Sequence, residues 1–369
     1  MGILFTQARR LMRIALVIYG SLDTISGGYL YDRKLVEYLR SLGDEVDVLS
    51  LPWHSYGRHL LDNFSRGLEE RIELGKYDVV LQDELNHPSL LCLNRRLRGK
   101  VPLISIVHHL RISEASSFYW PFTTVHRLIE SRYLRSVDGM LFTSHATLEA
   151  VHEQNCLPKW SHIAHPSASH LASTVSEGRA LEGLPRLLFV GNVIPRKGLW
   201  TLIQGMVVHL ETPYQLTIVG RNDIDSSFTA YLRQYLQMRG MDDRVCFKGP
   251  VSQKELIELY ESHDVLAMPS EHEGFGIVYL EAMSFGLPVI ASSAGGAVDI
   301  VKDSINGFLA EPGNEVHVAA ALRRLRDPDI YGRMSAAAVT TYKNHPDWKT
   351  TMSGAREFIH TTAINWKAF

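Results

Sequence analysis

A chain of 369 residues exceeds the roughly 100–200 residues of an ordinary single core, so two domains are expected. A formal net charge of -2 leaves no domain-wide basic excess, which excludes nucleic acid as an expected partner. The three cysteines, Cys92, Cys156 and Cys246, stand far apart without a C-x-x-C spacing; they support neither a disulfide framework nor a zinc site and fit a reducing cytoplasm.

Arg9, Arg10 and Arg13 precede an apolar run, Ile14 to Tyr19, that is far short of a bilayer span and lacks a small-residue cleavage site, so it reads as a first strand. Met1 to Met12 then reads either as a loose extension or as a small basic patch touching a membrane. The expected location is cytoplasmic, with peripheral contact to the inner membrane face as the second reading. A loop holding Gly20, Ser26, Gly27 and Gly28 leads into a helix with Leu30, Leu35, Tyr38, Leu39 and Leu42 at helical spacing, ending at Gly43. Strands follow at Val46 to Leu49 and Tyr77 to Leu81, then a helix from Pro88 to Leu97 and a strand from Pro102 to His108. A helix from Val125 to Leu134, a strand from Gly139 to Thr143, a helix from Ala146 to Gln154 and a short strand near His162 to His165 complete a parallel α/β half.

Pro166 to Pro185 is rich in Ser, Ala and Gly without a clean period and reads as a linker. The alternation then restarts. Strands are expected at Arg186 to Gly191, Gln215 to Gly220, Val245 to Gly249 and Asp264 to Pro269, with helices at Gly198 to Leu210, Phe228 to Met238 and Gln253 to Ser262. A short buried helix begins at Ile277 and stops at Gly286, and Pro288 opens another strand. A strand at Gly307 to Ala310 and helices at Glu315 to Arg326, Ile330 to Tyr342 and after Trp348 close the pattern.

In open α/β sheets ligands gather at the carboxyl ends of strands, so the glycine loops there carry the most weight. Ser26-Gly27-Gly28 lets backbone amides approach an anion at a helix start, and a plain turn explains it equally well. Gly191 to Gly198 places Arg196 and Lys197 beside a helix start. Cations there oppose the helix dipole unless an anion lies between, which points to a diphosphate; two solvated surface charges are the plainer reading. Glu273 and Glu281 lie across a loop-to-helix junction. They fit an acid and base pair, or a buried carboxylate accepting hydrogen bonds from a cis-diol such as a ribose.

These residues together resemble the retaining, nucleotide-sugar-dependent glycosyltransferases of the GT-B fold, glycosyltransferase family 4 within them. The resemblance rests on Glu273, Gly274-Phe275-Gly276, Glu281, Gly286-Leu287-Pro288-Val289-Ile290 and Gly295-Gly296, with Pro195-Arg196-Lys197-Gly198, Gly27-Gly28 and Val107-His108 elsewhere. It implies an α/β protein of two Rossmann-like domains facing each other across a cleft. One would be residues 1–170 joined by a C-terminal helix at about 348–369, the other residues 171–347. It also implies a nucleotide-sugar donor, an unidentified hydroxyl acceptor (glycan, lipid or small molecule) and no cofactor or metal. Under the resemblance Lys197, with Arg196, holds the donor diphosphate, Glu273 lies by the transferred sugar with the amides of Gly274, Phe275, Gly276 and Ile277, and Glu281 grips the ribose. Val251 lies near the base, Gly27 and Gly28 close on the phosphates, and His108 contacts the sugar, with His109 as the alternative. The donor's own phosphate would deprotonate the acceptor hydroxyl.

Two positions depart from the family pattern. Asn192 stands where many relatives carry an Arg, and Ala297-Val298-Asp299 follows the Gly-Gly loop where a Pro-Glu is usual. A nucleotide-sugar epimerase of the same fold, or a non-catalytic nucleotide-sugar-binding protein, are the rival functions. Asp327-Pro328-Asp329 spells a D-x-D but reads as a helix N-cap followed by Pro. Arg95, Arg96, Arg98 and Lys100 read as a helix C-terminal cluster or a lipid-headgroup patch. Phe118 to Pro121 reads as core, an acceptor pocket or a membrane contact.

Overall fold

The computed structural model describes residues 11–114, 120–171, 178–208 and 212–366. It divides into two compact units, Met1–Pro166 with Trp348–Phe369, and Ser167–Asp347.

In the first unit β1 (Arg13–Tyr19), α1 (Gly27–Ser41), β2 (Glu45–Leu51), α2 (Tyr56–His59), α3 (Gly67–Gly75), β3 (Val79–Asp83), α4 (His87–Leu97), β4 (Leu103–Val107), α5 (Trp120–Leu134), α6 (His145–Glu153 after β5, Gly139–Phe142) and β6 (Trp160–Ile163) form one parallel sheet with its helices. The strand order is β2-β1-β3-β4-β5-β6. β3 and β4 are buried at every position, as expected of central strands covered on both faces by helices. The second unit holds β7 (Leu187–Val190), α7 (Leu199–Val208), β8 (Leu216–Val219), α8 (Ser226–Met238), β9 (Val245–Gly249), α9 (Gln253–Ser262), β10 (Val265–Met268), α10 (Ile277–Ser284), β11 (Val289–Ser292), α11 (Ala297–Ile300), β12 (Gly307–Ala310), α12 (Glu315–Arg324) and α13 (Pro328–Asn344). Its sheet runs β12-β11-β10-β7-β8-β9, again parallel throughout. Each sheet therefore has a switch point, β1/β3 in the first and β7/β10 in the second, where loops diverge to opposite sides and leave a crevice.

The last helix, α14 (Trp348–Trp366), packs on α1 and β6 of the first unit. Arg356 donates Nε to Asp44 Oδ2 at 2.7 Å and Nη2 to Oδ1 at 3.2 Å. His360 Nε2 lies 3.2 Å from the same carboxylate, and the Met12 amide donates to it at 3.1 Å. Asp44 is 3% exposed, so its charge is tolerable only with these partners.

The structure differs from the sequence expectation in three places. The last strand of the first sheet is Trp160–Ile163 rather than His162 to His165; it is an edge strand, half-exposed along its length, so no apolar alternation marks its register. The segment between β2 and β3 contains α2 and α3, which periodicity does not reveal because Ile72 is the one buried residue of α3. α5 begins at Trp120, five residues before the expected Val125. Met1–Arg10, Phe118 and Tyr119, the middle of the linker, and the end of the helix expected to reach Leu210 lie outside the described residues. The three cysteines are free thiols. Among the described residues no helix is long and apolar enough to cross a membrane.

Candidate functional site

In the second unit the loops after β7 and β10 flank the switch point and are joined to each other. A Cβ on Gly198, where φ is +73°, would stand 1.9 Å from the Pro269 carbonyl oxygen; only a glycine admits that approach. The Glu271 amide donates to the Arg196 carbonyl at 2.8 Å, and the Arg196 guanidinium donates to the His272 carbonyl at 3.3 Å. This close approach puts Lys197 against Glu273: Nζ donates to Oε1 at 2.7 Å, and the Ser270 hydroxyl donates to the same oxygen at 2.7 Å. Glu273 is 6% exposed. Burial pushes its carboxyl up, but the Lys197 charge, the hydrogen bonds from Lys197 and Ser270 and the Arg196 charge outweigh that and hold it below the ordinary value. Glu273 is thus a carboxylate at neutral pH, a hydrogen-bond acceptor or base and not a proton donor.

The Gly-Gly loop supports this arrangement from behind. Glu273 forms a bridge with Gly295, and the Gly296 amide donates to the Glu273 carbonyl at 2.7 Å. A Cβ on Gly295 would lie 2.1 Å from the Glu273 carbonyl oxygen, and one on Gly296 would lie 2.0 Å from that of Gly274. Both glycines are required by backbone contact with the Glu273–Gly276 loop. Gly276, at φ +88°, then opens α10; the Tyr279 amide donates to the Gly276 carbonyl at 3.0 Å, and the start of the helix carries the positive end of its dipole. Phe275 is buried, its ring 5.8 Å from that of His345, and Ile277 is buried too. Their side chains serve packing, and what they offer a ligand is the amide.

Glu281 lies on the buried face of α10. Tyr260 OH donates to its Oε2 at 2.8 Å and His170 Nε2 stands 3.2 Å from Oε1. An ionised carboxylate has about four lone-pair sites, so two partners leave acceptor capacity for a diol. Asn192 accepts from the Arg221 amide at 3.3 Å, and Val251 is half-buried in the loop directly after β9.

In the first unit Ser26 caps α1, its hydroxyl accepting from the Tyr29 amide at 3.3 Å. Gly27 and Gly28 are the first helical residues. A Cβ on Gly28 would meet the His108 ring at 3.3 Å, so this glycine seats the imidazole. His108 follows β4, and its Nε2 lies 3.2 Å from Asp32 Oδ1. Burial pushes the His108 imidazole down, but the Asp32 charge and hydrogen bond, with the Asp83 and Glu84 charges behind, carry it up to about 9. It is an imidazolium at neutral pH. Burial raises Asp83 to about 6 against the opposing pull of His108. The ligand atoms of Asp32, Asp83 and His108 lie within 4.8 Å of one another. A second trio, Glu84, His87 and Glu130, has both nitrogens of His87 engaged, Nδ1 with the Glu84 carbonyl at 3.1 Å and Nε2 with Tyr56 OH at 3.0 Å. His109 lines a cavity with Trp53, Tyr56 and Arg111.

Within the second unit, Arg196, Lys197, Glu273 and the start of α10 come together as the sequence suggests. Sequence reasoning did not single out Ser270, Tyr260 and His170 in that unit, nor Asp32 and Asp83 in the first. Asp32 carried a usable signal, since it lies with Tyr29, Val36 and Leu39 on the buried face of α1, where an unpaired acid is costly. Asp327 N-caps α13, its Oδ1 accepting from the Asp329 and Ile330 amides at 2.9 and 3.2 Å, as its position before Pro328 suggests. Arg96 pairs with Glu69 at 2.6 Å and Lys100 with Glu73 at 2.6 Å, so acids of α3 answer part of the basic cluster.

Two family models match the chain. Residues 9–164 match the glycosyl transferase 4-like domain and residues 176–340 match glycosyl transferases group 1. The D-inositol 3-phosphate glycosyltransferase of Streptomyces scabiei (strain 87.22) is 27% identical over 288 residues, which cover 73% of this chain and 64% of that protein. The chain therefore spans somewhat less than two thirds of that relative's length. Sucrose-phosphate synthase from Thermosynechococcus elongatus has a TM-score of 0.82 at 21% identity, covering 96% of this chain and 100% of that one. Anabaena HepE in complex with UDP has a TM-score of 0.74 at 18% identity, covering 95% and 100%. These two likenesses show the fold. With the two models matching the two halves in turn, and both parallel sheets in place, the chain belongs to the GT-B-fold glycosyltransferases, as a family 4-like member carrying the group 1 domain.

Proposed function

We propose that this protein is a retaining glycosyltransferase that moves a sugar from a nucleotide-diphosphate sugar to a hydroxyl acceptor, without a metal. The observation that carries this reading is the Lys197–Glu273 pair at the switch point of the second unit, 2.7 Å apart, with Arg196 beside it and the start of α10 adjoining. An ammonium has three donors, and Glu273 takes one. The others, with Arg196 and the α10 amides, suit the diphosphate on which negative charge grows as the glycosidic bond breaks. Glu273 is assigned to the transferred sugar and Glu281 to the ribose. Val251 is assigned to the base, and the departing phosphate oxygen to removal of the acceptor proton. In the first unit, the His108 imidazolium is assigned to the sugar and Gly27–Gly28 to the phosphates. HepE has been solved with UDP, with UDP and glucose, and with UDP-glucose, which supports a uridine nucleotide as the first donor to try.

The test is calorimetry with UDP and UDP-glucose on the wild type, Lys197→Ala and Glu281→Ala, alongside an assay for a new glycoside and free nucleotide. Loss of a charge-assisted contact should weaken nucleotide binding on the order of tenfold to a hundredfold. Unaltered binding and transfer in both variants would remove the assignment. An altered sugar nucleotide with no glycoside formed would make the protein an epimerase.

A further inference from the structure

The carboxylate of Glu281 is held at both oxygens by side chains from different parts of the second unit. Tyr260, on α9, is fully buried with its ring stacked on Phe285, centroids 5.3 Å apart, and its hydroxyl donates to Oε2 at 2.8 Å. His170 lies in residues 167–171, the stretch by which the chain enters this unit, and its Nε2 stands 3.2 Å from Oε1. A ring nitrogen at that distance from a carboxylate oxygen faces it as a donor.

The stretch that presents His170 is built into the unit. Ser167, Ala168 and Leu171 are buried. The Leu171 amide donates to the Ala168 carbonyl at 3.0 Å, and the Ser169 amide to the Ser167 hydroxyl at 3.3 Å. Gln253, the first residue of α9, donates its side-chain amide to the His170 carbonyl at 3.3 Å. One helix therefore braces both partners of Glu281, carrying Tyr260 itself and holding His170 through Gln253.

The terminal torsion of a glutamate is broad, so no staggered well fixes the plane of its carboxylate. A contact at one oxygen leaves the group free to turn about that oxygen; contacts at both fix the plane. With about four lone-pair sites on the carboxylate, these contacts still leave one acceptor position at each oxygen. Two such positions side by side match two adjacent hydroxyls, and they stay matched only while the plane is held.

We infer that His170 is a positioning residue for the nucleotide ribose, holding Oε1 so that Glu281 receives the 2′- and 3′-hydroxyls together. It acts through Glu281 and not by contact with the nucleotide. This inference rests on the proposed role of Glu281 in donor binding, and it extends nucleotide recognition to the stretch that joins β6 to β7.

Calorimetry on the full chain would compare UDP, GDP and ADP, and then set the tightest of them beside its 2′,3′-dideoxy analogue. The wild type should prefer the ribonucleotide. His170→Ala removes donor and ring, and His170→Phe removes the donor alone. Both should weaken the ribonucleotide about tenfold, as loss of a hydrogen bond to a charged group does, while changing the dideoxy analogue by less than about twofold. His170→Gln, whose amide restores a donor, should recover most of the loss. Melting profiles matching the wild type establish that the variants fold, and His170→Phe carries the comparison where His170→Ala is unstable. Equal weakening of both nucleotides, unaltered ribonucleotide affinity, or no recovery in His170→Gln would each overturn the inference and leave the transferase reading standing. A wild type that binds none of the three nucleotides, or that binds the ribo and dideoxy forms alike, defeats the donor role of Glu281 and the inference with it.

Discussion

The two units carry buried charge at corresponding places and tune it in opposite senses. In the second, an acid is held ionised by cations: Glu273 lies between Lys197, Arg196 and the Ser270 hydroxyl and stays below its ordinary range. In the first, a base is held ionised by acids, with His108 carried to about 9 by Asp32, Asp83 and Glu84. The Glu273 arrangement keeps one charge state throughout the neutral range. The His108 arrangement changes state within reach of it, since burial raises Asp83 to about 6 and the acids around His108 carry it up to about 9. A parallel sheet thus fixes where a charge sits, while the neighbouring side chains decide over what pH range it persists.

The largest expected effect tests the fixed cluster. Lys197→Met leaves Glu273 buried without its cation, which should destabilise the second unit by about 3 kcal/mol in urea unfolding. Adding Glu273→Gln should recover most of that loss, and a double variant no more stable than the single one would show that the pair is not coupled. The next effect tests the titrating cluster. Asp32→Asn should drop the His108 titration, followed by NMR, from about 9 toward or below the ordinary histidine value of 6.5. It should also reduce transfer roughly tenfold near pH 8, because an imidazolium is lost there. The two clusters also give opposite pH dependences of stability. His108 has a folded value above its unfolded one, so its contribution is complete below about 6.5 and is lost as pH rises through about 9. Glu273 has a depressed folded value, so its contribution is complete above its unfolded value of about 4.5 and is lost as pH falls. Proteolysis mapped across pH should therefore open the first unit on the alkaline side and the second on the acid side; the same unit opening first at both extremes would break the comparison. Smaller again, Tyr260→Phe removes one hydrogen bond from Glu281 and should lower stability by about 1 kcal/mol while weakening UDP binding, measured by denaturation and calorimetry. The smallest expected change is a gain: Asn192→Arg adds a cation at the Gly191 loop and should tighten UDP binding a few-fold at low salt, an effect that fades as salt is raised.

Much of this contrast was legible in the residues before any coordinates. The order of strands and helices followed from apolar runs and glycine loops, and the Arg196-Lys197 and Glu273–Glu281 segments were marked by charges set against a helix start. Partners separated by long stretches of chain were not legible. Tyr260 reaches Glu281 from α9 and His170 from a loop far upstream, and periodicity carries no information on which polar group will face which. Asp32 sits on an apolar helical stripe and was open to notice; Asp83 ends a strand where any residue is tolerated by pattern. α3, with a single buried side chain, was hidden for the opposite reason, being helical without an apolar stripe. The Gly295-Gly296 pair was visible as a motif, but its physical reason, two backbones in contact behind Glu273, exists only in three dimensions.

The return of α14 to the first unit has a consequence for synthesis. Asp44 is translated early and buried, and its charge partners Arg356 and His360 come from the ribosome only after the whole second unit has been made. Until then the nascent first unit holds a carboxylate that must remain hydrated or protonated, so its core cannot finally close. The second unit, whose residues are contiguous, can complete its own fold sooner although it begins later, and the first unit is the last to become native.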